Sequence, residues 1–164
     1  MISKKLLYFS GVKLNSFNLK ILESKIKVIK VKSIIYAKKF NHLKKSQIFA
    51  MYCDQNYNYN YDFLKRFPNL KYLISSTTGT TFLDEKFCKK NKIQIISLEN
   101  DKKFLSSITS TAEHTLGLLL MISRKYLPSI KSIEKKEFNR RPFGGYKMLS
   151  KSNLGIIGYG RLGK

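Results

Sequence analysis

KYLISSTTGTTFLDEKFCKKNKIQIIS, residues 71–97, reads as a strand, a loop, a helix and a second strand. Residues 71–77 form an apolar run ending in Ser and Thr, the pattern of a buried parallel strand that feeds a loop. TTFLDEKFCKKNK has a helical look, and residues 93–97, IQIIS, supply the next apolar strand. Short apolar runs alternating with longer mixed ones are the signature of repeated strand and helix units.

The same rhythm runs outward in both directions. LLYFS, residues 6–10, reads as a first strand and NLKILESKI as the helix after it. IKVIKVK, residues 26–32, alternates apolar and basic with period two, which predicts a strand with one wet face. SIIYAKKFNHLKK is expected to be helical, QIFAMY to be a third strand, and NYNYNYD, residues 56–62, to be a polar-aromatic loop and not a site. DFLKRF predicts a short helix halted by Pro68.

On the C-terminal side, STAEHTLGLLLMISRKY gives the strongest helix pattern in the chain. Ser110 or Thr111 can cap it, Glu113 falls in its first turn near the positive end of the dipole, and Arg124 and Lys125 in its last. Its middle, LGLLLM, is apolar nearly all round, which predicts burial between domains or subunits. Residues 128–152 turn basic and carry Pro142, Gly144 and Gly145, so a short helix and a linker are expected. A last strand, NLGIIG, would end in a glycine turn. Five or six strands interleaved with helices predict an α/β fold with a parallel sheet, and the last strand reads as the opening of a second sheet.

A chain of 164 residues with 43% apolar content is long enough for one ordinary domain with a real core and too short for two complete ones. It has no uninterrupted apolar stretch of about 18 residues and no signal-peptide core behind its basic start, so a cytoplasmic location without a membrane span is expected. Cys53 and Cys88 fit no metal spacing and no disulfide framework, and read as small semi-buried residues. The net charge of +22 points toward nucleic acid, and residues 1–50 carry twelve lysines against one acid, Glu23. Only five of the 32 basic residues are arginines, the side chain suited to bidentate phosphate and base contacts. The lysines keep company with Asn, Ile, Phe and Tyr, all specified by A/T-rich codons, so composition explains the excess and no nucleic-acid partner is expected.

Gly158, Gly160 and Gly163 follow the last predicted strand, as a dinucleotide-binding turn requires: the first for the tight turn, the second for close approach to a pyrophosphate, the third for helix packing. A ligand-free glycine turn is the plain alternative on this motif alone. The helix that would donate its N-terminal amides, and the acid that would hold the ribose, are expected beyond Lys164. Three linked motifs narrow the choice. FPNLKYLISSTTGTTFLD, SSITSTAEHTLGLLLMISR and LSKSNLGIIGYGRLGK, in this order and at these separations, resemble the D-isomer-specific 2-hydroxyacid dehydrogenases, a family that includes phosphoglycerate, glycerate and D-lactate dehydrogenases. The resemblance runs from about Pro68 onward; the first 67 residues share only the strand and helix rhythm.

The resemblance implies a two-domain enzyme, with a flavodoxin-like substrate domain and an inserted Rossmann-like cofactor domain. It puts the substrate domain at residues 1–108, and the interdomain helix, linker and start of the NAD-binding domain at 109–164. The chain then reads as a fragment, cut at Lys164 as the cofactor domain begins. Thr78 and Gly79 fall where the family presents backbone amides to the substrate carboxylate. Ser107 falls where many members have Asn near substrate and nicotinamide, and reaches less far. Thr111 stands on the nicotinamide side where Val is common. Gly158, Tyr159, Gly160, Arg161, Leu162 and Gly163 carry over as cofactor-binding residues, with the amides of Arg161 and Leu162 as pyrophosphate donors. Asp84 starts a helix and is structural.

His114 belongs to the interdomain helix in the family pattern and His42 to a solvated lysine-rich segment. The family's proton-transferring His, its Glu partner and its substrate-binding Arg are expected C-terminal to Lys164, so no catalytic residue is named in this chain and no metal site is expected. The expected function is reversible hydride transfer between NAD, or NADP, and a small 2-hydroxy or 2-oxo acid, in a protein that is a homodimer at full length. The 164-residue chain alone is expected to be inactive. A non-catalytic binding module of the same ancestry, or a basic nucleic-acid-associated protein, are the other readings.

Overall fold

The computed structural model describes residues 4–164; residues 1–3 of the basic start lie outside them. Two compact units divide the chain, residues 1–102 and residues 103–164.

The first unit is a five-stranded parallel sheet in the order β2-β1-β3-β4-β5, formed by β1 (Lys5–Phe9), β2 (Lys27–Val31), β3 (Ile48–Tyr52), β4 (Tyr72–Ile74) and β5 (Gln94–Ile96). This is the doubly wound flavodoxin-like order, so the α/β expectation holds. One row of side chains explains the register: Ile29, Leu7, Met51, Leu73 and Ile95 stand side by side across all five strands. Leu7, Met51 and Leu73 are fully buried, and a slip of one residue in any strand would turn its member of this row to the opposite face. β2 is the wet edge strand that its alternating lysines predict, with Lys27 and Lys30 exposed.

The connecting helices are α1 (Ser16–Lys25), α2 (Ile34–Lys38), α3 (His42–Ser46), α4 (Tyr61–Leu64) and α5 (Glu85–Lys90). Four of them begin at a side-chain cap. Asn15 accepts from the Asn18 amide at 2.7 Å, Asn41 from Lys44 at 2.8 Å, Asn60 from Phe63 at 3.1 Å and Asp84 from Phe87 at 2.9 Å. Each satisfies an amide that has no partner inside the helix, worth about 1 kcal/mol. These caps correct two expected boundaries. The helix expected over residues 33–45 is split in two, because Phe40 packs against the core and Asn41 starts a new helix. The one expected from residue 80 starts at Glu85, because residues 80–83 turn to pair with the loop before α4 through a Tyr59–Leu83 bridge.

The second unit contains α7 (Ser110–Ser123) and α8 (Tyr126–Glu134), preceded by a short helix, α6 (Lys102–Ser106), that starts at the boundary. α7 departs from expectation at both ends. Its cap position is Thr109, whose hydroxyl meets the Glu113 carboxylate, and it stops at Ser123 because Lys125 takes a left-handed backbone, φ 49°, and opens α8. Within this chain no α7 residue is buried, and Leu116, Leu118, Leu120 and Ile122 are exposed. The expected last strand, residues 153–158, forms no ladder; Leu154, Ile156 and Ile157 are exposed. A strand needs a neighbour to hold its amides and carbonyls, and these residues have none among those described. Residues 158–164 close as a turn, in which the amides of Gly163 and Lys164 both donate to the Gly160 carbonyl at 3.2 Å. No described helix is long and apolar enough to cross a membrane.

Candidate functional site

In an open parallel sheet of this order, ligands bind beyond the carboxyl ends of the strands, where the connections leave in opposite directions. Here that gap lies between β1 and β3. Gly11 follows β1, and a Cβ on it would collide with the carboxylate of Asp54, which follows β3. Asp54 is buried; its Oδ1 accepts from the Asn56 amide at 2.9 Å, and its own amide donates to the Tyr59 hydroxyl at the same distance. Tyr59 is fully buried, and burial pushes its phenol pKa up, beyond the ordinary tyrosine range.

Tyr59 also reaches the next loop. Its amide donates to the Phe82 carbonyl at 2.8 Å and its carbonyl accepts from Asp84 at 3.1 Å, so the connection after β4 is sewn to the one after β3. That connection carries Thr78 and Gly79. Buried Ser75 sets its first turn: its amide donates to Ile96 at 2.8 Å, and its hydroxyl shares a 2.7 Å bond with Thr77. The Thr77 hydroxyl donates to the Gly79 carbonyl at 2.8 Å, and its carbonyl accepts from Leu98 at 3.2 Å. The hydroxyls thus hold the loop while Thr78 and Gly79 stay exposed. Neither of their amides donates to a protein acceptor among the described residues, and nothing described lies within 4 Å of where a Gly79 Cβ would be. Two unspent amides in an open loop can receive an anion.

The second unit holds the remaining candidates. Ser107 is exposed, and its hydroxyl donates to the Phe104 carbonyl at 2.7 Å, which leaves its oxygen as an acceptor. Thr111 is exposed in the first turn of α7. In the glycine turn, Gly158 has φ 90°, Gly160 has open space around it, and a Cβ on Gly163 would strike the Gly158 carbonyl. Each glycine therefore stands where a side chain would strain the backbone, fill the opening or clash. The amides of Arg161 and Leu162 donate to no protein acceptor among the described residues, and Tyr159 and Leu162 are exposed. Arg161 ties the turn to the segment bearing Ser107, donating to the carbonyls of Leu105 at 2.9 Å and Ile108 at 3.1 Å. The structure thus joins the glycine turn and the Ser107 segment within one unit; Thr78 and Gly79 belong to the other.

His114 and His42 are exposed, and Asp84 is a helix cap. Neither histidine has a carboxylate within ion-pair distance among the described residues, so no His and Glu pair suited to proton transfer is assembled up to Lys164. No cluster of potential metal ligands occurs among the described residues. Both cysteines are free and more deeply buried than expected.

No family model matches the chain. Over 108 residues it is 31% identical to glycerate dehydrogenase of Methylorubrum extorquens, covering 63% of this chain and 33% of that one. Over 103 residues it is 27% identical to D-3-phosphoglycerate dehydrogenase of Methanocaldococcus jannaschii, covering 63% and 18%. The chain resembles the D-isomer-specific 2-hydroxyacid dehydrogenases. It spans about a third or less of the length of these relatives. D-lactate dehydrogenase from Aquifex aeolicus, solved with NAD and lactic acid, shares its fold at a TM-score of 0.77 and 18% identity, over 96% of this chain and 45% of that one. An NADPH-dependent glyoxylate/hydroxypyruvate reductase from Sinorhizobium meliloti, solved with NADP and malonate, does so at 0.74 and 15%, over 98% and 47%.

Little in the sequence marks the Gly11, Asp54 and Tyr59 cluster. The available signals were a glycine just after the first strand and a lone acid just after the third. Tyr59 was hidden by the repeat around it, in which only its burial separates it from Tyr57 and Tyr61.

Proposed function

We propose that this chain contributes the substrate loop and the cofactor-binding turn of an enzyme that transfers hydride reversibly between NAD(H) and a small 2-hydroxy or 2-oxo acid. Residues 1–108 form its substrate domain and residues 109–164 lead into its cofactor domain. The observation that carries the reading is the pair of unspent amides at Thr78 and Gly79, fixed by Ser75 and Thr77 at the carboxyl edge of the sheet. They accept the substrate carboxylate, an anion needing donors and no steric block. Ser107 offers a hydroxyl oxygen on the substrate side, and Thr111 lines the nicotinamide side.

The glycine turn suits a dinucleotide: the opening at Gly160 admits a pyrophosphate, and the free amides of Arg161 and Leu162 point to donors for it. The nicotinamide, when bound, supplies the hydride chemistry. NADP is accommodated equally, since no residue of the turn addresses the ribose. In the family pattern a His, a Glu and an Arg serve proton transfer and carbonyl polarisation, and no residue of this chain is assigned one of these roles. The exposed apolar residues of α7 belong to a homodimer contact of the full-length enzyme, a cytoplasmic protein.

The test is amide NMR of the 164-residue chain titrated with glycolate or pyruvate. Selective shifts at Thr78 and Gly79 are expected. Shifts confined to lysine-rich segments, or NADH oxidation by this chain alone, would overturn the reading.

A further inference from the structure

The two edges of the sheet differ in charge in a way that composition does not explain. In the first unit the acids are Glu23, Asp54, Asp62, Asp84, Glu85, Glu99 and Asp101, and all but Glu23 lie in the loops or first helical turns that follow strands. Glu23 is spent on Lys30 at 2.9 Å. The opposite edge, where strands begin, is rich in lysine, and the acid in the last turn of α1 there is that same paired Glu23. In the spatial order of the sheet the lysines are Lys27, Lys4, Lys45, Lys71 and Lys92, each at or shortly before the start of its strand. An A/T-rich genome raises the number of lysines; it does not decide which edge of the sheet collects them. Complementing helix dipoles accounts for lysines in the last turns of helices, but Lys4 and Lys71 adjoin no described helix end.

The row has depth as well as charge. Lys71 borders two clefts. One is lined by Lys4, Gln47, Phe49 and Asn69, with the Lys4 ammonium 4.6 Å from the centre of the Phe49 ring. The other is lined by Lys90 and Asn91 around Phe87 and Pro68, and by Lys65, which is already paired with Asp62 at 2.6 Å. Adjacent strands lie about 4.8 Å apart, so five strand starts extend the row over roughly 19 Å.

We infer that this amino-terminal edge binds the phosphodiester backbone of a single-stranded nucleic acid, independently of its sequence and apart from the substrate loop. A row of ammonium groups roughly 19 Å long offers a phosphodiester chain several successive point charges. Lysine gives point-charge contacts without the bidentate base recognition of arginine, which matches binding by charge and not by sequence. An anionic membrane would be met by a broad exposed apolar face among the lysines, whereas Phe49 and Tyr72 at this edge are half-buried and pack on each other at 5.2 Å, and the exposed Tyr61 ring carries the Lys65 ammonium at 4.6 Å.

The experiment is fluorescence anisotropy of a labelled single-stranded RNA of about 20 nucleotides with the full chain, from about 50 to 200 mM KCl. Wild type is compared with the triple variant Lys4→Gln, Lys71→Gln, Lys90→Gln and with a charge-matched triple at the opposite edge, Lys13→Gln, Lys32→Gln, Lys102→Gln. All six lysines are exposed, and circular dichroism checks that both variants fold. The first triple is expected to lose at least about tenfold in affinity and about two units of salt slope, from the single-strand value of roughly 0.7 per phosphate contact; the second should stay within about twofold. Equal losses in both triples, no binding at the lowest salt, or binding to phosphatidylserine vesicles without binding to RNA would each overturn the inference.

Discussion

Arg161 is joined to Leu105 across 56 residues of chain, its Nη1 donating to the Leu105 carbonyl at 2.9 Å. The same nitrogen reaches Ile108 at 3.1 Å, so one guanidinium closes the 105–108 turn and holds the glycine turn against it. The motif alone assigns Arg161 only a backbone role. Its side chain is the physical link between the glycine turn and the segment bearing Ser107.

Arg161→Ala should therefore loosen the glycine turn without unfolding the first unit. A partly exposed charged hydrogen bond contributes about 1.5 kcal/mol, the low end for such bonds. Hydrogen exchange at residues 158–164 should speed up several-fold, while the amides of β1 and β3 keep their protection. Unchanged exchange at the turn would show that Arg161 does not hold it.

Gly11→Ala tests the contact at the gap between β1 and β3. The new methyl would meet the Asp54 carboxylate, which is itself bonded to the Asn56 amide and cannot swing away freely. A loss of about 1–3 kcal/mol is expected from overpacking. Asp54→Ala removes the obstacle, so the double variant should lose less than the sum of the two single losses. Urea melts of the four proteins measure this; strict additivity would place the two residues out of contact.

The buried thiols and phenol set an alkaline limit. Burial pushes the Cys88 thiol from 9.0 up to about 11, helped by Asp84 and Glu85, and pushes Cys53 and Tyr59 higher still. Their folded pKa values are raised, so the native chain keeps protons that the unfolded chain releases. Stability is complete below the unfolded values and falls as pH rises from about 9 through 11, by at most about 1.4 kcal/mol per pH unit for each group. Urea midpoints should be flat from about pH 7 to 8.5 and then decline, with a shallower decline in Cys88→Ala. A thiol reagent at about pH 8 should label neither cysteine until the chain unfolds.

What was legible from the sequence follows from which interactions are local. The five strands announce themselves because each is a short apolar run whose residues face the core, and Ile29, Leu7, Met51, Leu73 and Ile95 need no distant information to be recognised as apolar. The glycine turn was legible because Gly158, Gly160 and Gly163 are constrained by their own backbone neighbourhood. Burial was not legible for α7, whose composition is apolar whether or not a partner covers it. The 153–158 strand failed for a related reason, since an apolar run becomes a strand only beside another strand. The Asn15, Asn41 and Asn60 caps were readable in principle from Asn placed just before a helical pattern.

The exposed apolar side chains of α7 and α8 predict self-association. Ile122, Leu127, Ile130 and Ile133 are all exposed, on helices where burying each would contribute about 1.5–3 kcal/mol. The chain should run larger than a monomer, or precipitate, in size-exclusion chromatography with light scattering. Ile122→Lys with Ile133→Lys should shift it toward monomer while leaving the melt of the first unit unchanged. A monomeric wild-type chain with a single cooperative melt would refute this.

Gly79→Val separates fold from function in the β4 loop. The φ of Gly79 is not in the left-handed region and a Cβ there meets nothing within 4 Å, so the substitution should fold with a stability change below about 0.5 kcal/mol. It would nonetheless place an isopropyl group over the unspent amides of Thr78 and Gly79, where a carboxylate must approach. Glycolate should then cease to shift the Thr78 and residue-79 amides, although melts and the β4–β5 pairing stay as in wild type. Binding that survives the valine would move the anion elsewhere on the carboxyl edge, with the gap at Gly11 and Asp54 as the next place to look.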